Sequence, residues 1–260
     1  MVIRTTAPDA AAVRSLTVMT VNTHKGFAAL NRRFILSELR AAVRAVGADV
    51  VCLQEVIGSG GASDGPHYEF LADAMWPQFA YGRNAVYPDG HHGNAILSKF
   101  PIVSHVNHDV SVAGRSTDAD RTPEKRGLLH CALQMPGLEA ELHVVCAHLG
   151  LSEAHRAQQL ALLCRVARDE VPQDAPLIVA GDFNDWRGRA HAILERGVGL
   201  RDVFVEARGA AARTFPARFP VLRLDRIYVR NAAGHAPVVM PRRPWSHLSD
   251  HAPLVAEVTL

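Results

Sequence analysis

The chain has 260 residues, of which 48% are hydrophobic and 21% charged, and its formal net charge at pH 7 is +2. This composition is typical of a globular protein, and the length suffices for one large domain or two small ones. The small positive charge fits phosphate-bearing substrates but argues against a protein that coats DNA without specificity. No run of about 18 apolar residues is present, and residues 1–12 lack the apolar core of a signal peptide. We therefore expect a cytoplasmic protein without stable membrane insertion.

The cysteines lie in apolar runs without the C-x-x-C spacing of a zinc or redox site. They are Cys52, Cys131, Cys146 and Cys164. This placement is typical of buried thiols in a reducing compartment. The sequence also lacks internal repeats and any linker rich enough in Gly, Pro or Ser to divide it. It therefore predicts a single domain over residues 1–260, with residues 1–14 flexible.

The first part of the chain predicts a strand, a helix and a second strand. Alternation and β-forming residues predict a strand over residues 16–22. Apolar residues at helical spacing predict a helix over residues 32–46, which Gly47 ends. Residues 49–54 form the next predicted strand, and Glu55 stands at its end.

The middle of the chain predicts a succession of antiparallel strands. A flexible loop at residues 58–65 and a short helix at residues 68–75 precede them. Short turns with Pro or Gly join several of the strands, which predicts antiparallel neighbours. His91 and His92 are expected to form an exposed pair in a loop. The predicted strands lie near residues 79–85, 93–98, 102–110, 127–134 and 141–147.

The last part contains the strand around which the site is expected to form. Residues 177–180 are an apolar run typical of a strand buried on both faces. Gly181 allows a sharp exit, after which Asp182 and Asn184 stand on the same side. The other predicted elements are helices at residues 152–169 and 188–196 and strands at residues 222–229 and 253–258.

Several predicted strands end in a polar side chain, and each such residue also has an ordinary explanation. Asn22 suits a turn, His148 suits a hydrogen-bonded core histidine, and Asp225 suits an ion pair with Arg226. Together they favour a shared site, because strand ends in packed sheets meet at one rim, where ligands bind. The residues in question are Asn22, Glu55, His148, Asp182, Asn184, Asp225, Asp250 and His251.

Five motifs in order along nearly the whole chain resemble those of the endonuclease/exonuclease/phosphatase superfamily, with the pancreatic-deoxyribonuclease fold. They are Val21-Asn22, Leu53-Gln54-Glu55, Gly93-Asn94-Ala95-Ile96-Leu97-Ser98, Gly181-Asp182-Phe183-Asn184 and Ser249-Asp250-His251. The resemblance implies an α/β fold with four layers, in which two mixed β-sheets face each other and helices cover the outside. It also implies a site at one end of the sandwich.

The resemblance implies Mg²⁺ or Mn²⁺ as the cofactor. Glu55 is the expected direct ligand, with Asn22 and Asp250 nearby. Hard oxygen donors of this kind favour these ions over zinc. Whether one or two ions act is left open.

The resemblance also implies catalytic roles. Asp182 would orient or deprotonate the attacking water, and Asn184 would hold a phosphate oxygen. His251 would act on the phosphate or the water, with Asp225 fixing its tautomer. His148 would donate a hydrogen bond or proton at the phosphate or the leaving group. Asp182 and His251 both remain candidates for the general base.

Three further residues are predicted to bind substrate. Asn94 belongs to the strand that resembles the family. Lys125 and Arg126 lead into the strand at residues 127–134 and would place a cation at the scissile phosphate. A solvated charged turn explains these two residues equally well.

The sequence thus predicts a divalent-metal-dependent phosphodiester hydrolase in which an activated water attacks phosphate in line. Nucleic acid is the expected substrate, so the enzyme would be nuclease-like. An alternative is a phosphoesterase acting on a phospholipid headgroup or a small phosphate ester. A binding module that has lost catalysis is a third hypothesis, and the filled catalytic positions argue against it.

Overall fold

The structure, a computed structural model, describes residues 15–28, 33–60, 65–112 and 125–260. The N-terminal residues 1–14, predicted to be flexible, lie outside the described residues, as do residues 61–64 of the predicted loop. None of the described helices is long and apolar enough to cross a membrane.

The described residues form twelve strands and six α-helices, and five of the strands, β3 to β7, follow one another without a helix between them. A single turn of 3₁₀ helix, His24–Gly26, follows the first strand. The strands are β1 Ser15–Asn22, β2 Val50–Ser59, β3 Gln78–Tyr87, β4 Gly90–Ser98, β5 Ile102–Asp109, β6 Gly127–Leu133, β7 Leu142–His148, β8 Leu177–Asp182, β9 Arg201–Asp202, β10 Asp225–Arg230, β11 Gly234–Val238 and β12 Leu254–Thr259. The helices are α1 Leu36–Val46, α2 His67–Ala72, α3 Glu153–Asp169, α4 Arg189–Val198, α5 Val203–Arg208 and α6 Trp245–Leu248.

The strands form two mixed sheets of six strands each, in the orders β11-β12-β1-β2-β4-β3 and β5-β6-β7-β8-β10-β9. Each sheet has a parallel pair at its centre, β1 with β2 in one and β7 with β8 in the other. Antiparallel strands flank both pairs. The carboxyl ends of the parallel strands therefore lie beside the amino ends of their antiparallel neighbours, on one rim of each sheet.

Three separate apolar cores define four layers. The first lies between the sheets and joins residues such as Val18 and Ile96 to Val144 and Ile178. In the second, α1, α2 and α6 cover the outer face of the first sheet. In the third, α3 and α4 cover the outer face of the second sheet. The four-layer α/β sandwich is thus confirmed, and the strands alternate between the middle core and an outer one.

The predicted elements are present, with shifted ends. Within the described residues the first helix begins at Leu36, and β2 extends to Ser59 through part of the predicted loop. The strand predicted from residue 222 begins at Asp225. Its first residues instead fold back, because Leu222 pairs with Phe215 in an isolated antiparallel bridge. The four cysteines are buried and free, as predicted.

One buried histidine, His67 in α2, should make the stability of the folded protein depend on pH. Its side chain packs beside the ring of Phe34, and neither of its ring nitrogens has a hydrogen-bond partner among the described residues. Burial lowers the pKa of His67 from 6.5 to about 4. The neutral ring is therefore favoured in the folded state, and its contribution to stability is complete above pH 6.5 and is lost as pH falls towards 4.

We expect the free energy of unfolding to fall by about 2 kcal/mol from this group alone between pH 7.5 and pH 5. Urea unfolding at the two pH values measures it, in the wild type and in His67→Leu, which cannot ionise. The variant should lose that part of the pH dependence. An identical pH dependence in both proteins would show that His67 is not held neutral by the fold.

Candidate active site

The rim of the sandwich collects the polar residues that follow the strands. Asn22 ends β1, opposite Gln54 in β2. In the second sheet, His148 at the end of β7 pairs with Asp182 at the end of β8. Asp225, which begins β10, also pairs with Asp182. Asn22 and Asp182, which are 160 positions apart, thus become neighbours because the strand ends lie on the same rim.

Glu55 reaches the site through a local irregularity in β2. The register with β4 shifts between Leu53 and Val56, and Glu55 has a left-handed φ of 54°. A bulge of this kind re-aims a side chain and is common beside active sites. The Glu55 carboxylate accepts a hydrogen bond from Asn22 Nδ2 at 3.3 Å and lies 3.5 Å from Lys25 Nζ.

A glycine and a left-handed residue direct the chain at the end of β8. A Cβ atom on Gly181 would lie 1.9 Å from the carbonyl oxygen of Ala147, so only glycine fits there. Asn184 has a φ of 50°, and its backbone N–H donates to Asp182 Oδ1 at 2.9 Å. The Asn184 amide donates to the carbonyl of Leu149 at 2.9 Å, which holds it beside Asp182.

Asp182 is the centre of the arrangement. Its Oδ2 accepts a hydrogen bond from Asn22 Nδ2 at 3.2 Å. The same oxygen lies 3.5 Å from His148 Nε2 and 3.8 Å from His251 Nε2. One carboxylate oxygen therefore contacts groups from β1, β7 and the segment before β12.

His251 forms a dyad with Asp225. Its Nδ1 lies 2.9 Å from Asp225 Oδ2, and its ring packs against Phe215 with centroids 5.0 Å apart. Asp225 is available for this contact because Arg226 pairs instead with Asp202, at 3.4 Å. The ordinary explanation of Asp225 as a partner of Arg226 is thus wrong. The dyad leaves Nε2 of His251 directed towards Asp182.

Burial and charge together raise the pKa values of both central groups. Burial, and next the charge of Asp225, raise the pKa of Asp182 to about 7. Burial lowers the pKa of His251, but the carboxylates of Asp225, Asp182 and Asp250 outweigh it and raise that pKa to about 10. Strongly perturbed pKa values in one cluster are typical of sites that transfer protons.

His148 is held as a neutral ring. Burial, followed by the positive charge of Arg126, lowers its pKa well below 6.5. Arg126 Nη1 donates to His148 Nε2 at 2.8 Å. Besides Asp182, the carboxylate of Glu55 lies 4.0 Å from the same nitrogen. The acidic neighbours of His148, which the sequence alone did not identify, are therefore Asp182 and Glu55.

The hydroxyl of Ser249 holds Asp250 at the same rim. Ser249 Oγ donates to the carbonyl of Asn22 at 2.6 Å and to Asp250 Oδ1 at 3.3 Å. His24 Nε2 lies 4.0 Å from Asp250 Oδ2. The hydroxyl of Ser249 thus ties the segment before β12 to the end of β1.

Two of the predicted substrate-binding residues stand apart from this cluster. Asn94 is fully buried between the sheets, where its amide donates to the carbonyls of Gly127 and Cys146. Lys125 lines a separate cavity of about 230 Å³ that also includes Arg126. Arg126 alone of the three therefore joins that cavity to the catalytic residues.

His92 lies near the site in surroundings that differ from those predicted from the sequence. The expected exposed loop pair is wrong, because His91 and His92 lie in β4 and His92 is buried. The charge of His92 is one of the causes that lower the pKa of His148. The alternation of His92, Asn94 and Ile96 was the available signal, since Ile96 belongs to the core between the sheets.

The donor set of the site suits a hard divalent cation. Asn22 Nδ2 lies within 3.3 Å of the carboxylates of both Glu55 and Asp182, and Ser249 ties Asp250 to the same strand end. Oxygen donors of this type fit Mg²⁺ or Mn²⁺. The residues present therefore fit the ion that the resemblance implies.

Comparison with known proteins gives consistent matches. The sequence profile described as "Endonuclease/Exonuclease/phosphatase family" matches residues 19–251. The chain is 55% identical to "Uncharacterized protein YbhP" of Escherichia coli K12 over 261 aligned positions, covering 97% of this chain and 100% of that protein. An endonuclease/exonuclease/phosphatase from Beutenbergia cavernae has a TM-score of 0.78 and 22% identity, covering 95% of this chain and 72% of that one. TDP2 of D. rerio, complexed with a single-strand DNA product, has a TM-score of 0.64 and 20% identity, covering 94% and 98%.

The solved structures, at these low identities, establish the shared fold. The profile match extends from within β1 to His251 and so includes the whole second sheet, every strand of the first except β12, and every residue of the cluster around Asp182. The chain belongs to the Endonuclease/Exonuclease/phosphatase family.

Proposed function

We propose that the chain is a Mg²⁺- or Mn²⁺-dependent phosphodiester hydrolase that cleaves nucleic acid by in-line attack of an activated water. The observation that carries this proposal is the position of Asp182 Oδ2, within 3.8 Å of Asn22, His148 and His251 at once. A carboxylate between two histidines and an amide is suited to holding a water against a phosphate.

Each residue of the cluster has a role that follows from its contacts. Asp182 orients the water or accepts its proton, whereas His251, protonated at neutral pH because its pKa is raised to about 10, donates to the phosphate. Asp225 holds the His251 ring so that Nε2 faces the reaction centre. Arg126, which donates to His148 Nε2 in this structure, would move onto the phosphate when substrate binds. His148 would then donate from Nε2, in its other tautomer, to the phosphate or to the leaving oxygen. Asn184 is positioned by Leu149 to meet a phosphate oxygen.

Glu55, Asn22 and Asp250 would hold the cation. When bound, it supplies positive charge to the phosphoryl oxygens during attack. Lys25, 3.5 Å from Glu55, adds a second positive group on the same side.

A panel of substrates tests this proposal. We would incubate the purified protein with single-stranded DNA, duplex DNA, RNA, bis-p-nitrophenyl phosphate and phospholipid vesicles, each with Mg²⁺, Mn²⁺ or EDTA. The proposal predicts cleavage of at least one nucleic acid with either metal and none in EDTA. Absence of turnover on every substrate, with intact fold, would favour a binding module and contradict the proposal.

The cavity beside Arg126 supports a polyanionic substrate. Three cations, Arg83, Lys125 and Arg126, line it against a single carboxylate, Asp109. Because Arg126 also contacts His148, this row of charges leads from the catalytic residues along the rim. Such a row can follow a nucleic-acid backbone past the scissile phosphate.

We therefore expect the double variant Arg83→Gln/Lys125→Gln to bind single-stranded DNA more weakly. In a plot of the logarithm of the binding constant against the logarithm of the salt concentration, the slope should become less steep by about 1.4, because two phosphate contacts are lost. Turnover of bis-p-nitrophenyl phosphate, too small to reach the cavity, should stay unchanged. An unaltered salt slope would mean that this cavity does not contact the substrate backbone.

One observation favours a second candidate, a lipid or small ester with an apolar part. The segment that carries Phe215 is tied to the site, since Ala217 N–H donates to the Asp250 carbonyl. It exposes Phe219, Val221 and Leu222 to solvent. Cleavage of the vesicles alone in the substrate panel would select this candidate.

A further inference from the structure

Outside the catalytic rim, histidines from three neighbouring strands lie together on the outer face of the second sheet. They are His108 in β5, His130 in β6 and His143 in β7. The rings of His108 and His130 stack with centroids 5.9 Å apart, and His130 Nε2 lies 2.9 Å from His143 Nδ1. This face is the one that α3 covers, because Leu128 and Val145 of the same strands pack against the helix.

The end of α3 brings a carboxylate to these rings. Glu170, the residue that caps the helix, places Oε1 3.8 Å from His108 Nδ1. One ligand atom each from His108, His130 and Glu170 lies within 4.8 Å of the other two. That spacing is what three ligands around one transition-metal ion require, because metal–ligand distances of about 2.0–2.2 Å put ligand atoms within such a range.

Two properties of the rings suit metal binding. His108 Nε2 is buried and has no hydrogen-bond partner among the described residues, an arrangement that costs free energy unless a ligand compensates it. Burial, followed by the charges of His143 and His108, lowers the pKa of His130 to about 4, so its ring is neutral at physiological pH. Neutral imidazole is the form that binds metals.

The surroundings leave room for an ion. A cavity of about 230 Å³ opens beside His108 and Glu170 and is also lined by Asp169 and Arg165. His143, hydrogen-bonded to His130, fixes the orientation of that ring in the way that outer partners of metal ligands do.

We propose that His108, His130 and Glu170 form a second metal site, separate from the catalytic one and selective for a borderline transition metal such as Zn²⁺. Two imidazoles and one carboxylate are a ligand set that Zn²⁺ accepts, with a fourth position left for water from the cavity. The site ties the edge strand β5 and its neighbour β6 to the end of α3. Its role is therefore to stabilise this side of the sandwich.

The test uses Zn²⁺ titrated into metal-free protein, followed by calorimetry and by the thermal midpoint of unfolding. The Glu55→Gln/His251→Ala variant serves as the parent protein, because Asp182, Asp225 and His251 also place ligand atoms within 4.8 Å of one another and would compete for Zn²⁺. We expect one Zn²⁺ to bind per chain and to raise the midpoint by several degrees. His108→Ala and Glu170→Gln should each weaken binding at least about tenfold.

His105→Ala is the matched control, since His105 is exposed on the opposite face of β5. It should bind Zn²⁺ like the parent protein. Glu170 is exposed, so Glu170→Gln will fold even if His108→Ala does not. Zn²⁺ binding that Glu170→Gln leaves unchanged, or no binding in the parent protein, would overturn the proposal while leaving the proposed hydrolase activity untouched.

Discussion

Glu55→Gln is expected to lower kcat/KM for phosphodiester hydrolysis by at least about 10³-fold, or about 4 kcal/mol of transition-state stabilisation. The substitution keeps the length of the side chain and a partner for Asn22 Nδ2, which lies 3.3 Å from Glu55 Oε1. It removes only the negative charge that would hold the cation. The measurement is steady-state turnover at saturating Mg²⁺ and Mn²⁺.

Two comparisons separate lost charge from lost structure. Glu139→Gln, at an exposed position outside the rim, should behave like the wild type. Because the substitution removes one of two carboxylates that share the Asn22 amide, the thermal midpoint of the variant should be unchanged or raised when no metal is present. Activity of Glu55→Gln within a few fold of the wild type would remove Glu55 from the set of metal ligands.

Asp225→Asn should reduce kcat by about 10³-fold with little effect on KM, because Asp225 acts through His251 and not on the substrate. Asp225 Oδ2 lies 2.9 Å from His251 Nδ1. An amide there cannot stabilise a charge on the ring, and its NH₂ group turned towards Nδ1 would favour the wrong tautomer. Single-turnover rates at saturating substrate measure the effect.

A double-mutant cycle with His251→Gln tests whether the two residues act as one unit. If they do, adding Asp225→Asn to His251→Gln should cost almost nothing further. Additive losses would show that Asp225 acts independently of His251, and circular dichroism of all three variants would exclude unfolding as the cause.

The strand ends could be predicted from the sequence because they depend on local patterns. Alternation in residues 16–22 and the apolar run before Gly181 specify strands, and a polar residue directly after such a strand must lie at its end. These patterns predict that Asn22, His148 and Asp182 share a rim, and in the structure both Asn22 and His148 lie within 3.5 Å of Asp182 Oδ2.

What the sequence could not give is which groups pair across the rim. Arg226 follows Asp225 directly, yet it pairs with Asp202 of β9, a two-residue strand too short for any periodicity. The bulge that turns Glu55 inward has no composition signal, because its left-handed residue is not a glycine. Such features are decided by contacts between distant segments.

The sequence also did not predict which polar residues would be buried. Asn94 was predicted to bind substrate from its strand, but its amide holds two backbone carbonyls of the opposite sheet. The face of β4 on which it lies is the inner one, as Ile96 shows. Whether such a side chain meets solvent depends on how the two sheets pack against each other. No local sequence pattern describes that packing.

The most direct test of the account is a Mn²⁺ titration of metal-free protein, with bound Mn²⁺ measured by electron paramagnetic resonance and turnover of single-stranded DNA measured in the same samples. Glu170→Gln, at an exposed position, is used as the parent so that the proposed second site does not contribute. We expect turnover to rise in proportion to bound Mn²⁺. In this background, Glu55→Gln should lose both Mn²⁺ binding and turnover. Turnover in EDTA, or Mn²⁺ binding that Glu55→Gln leaves intact, would contradict it.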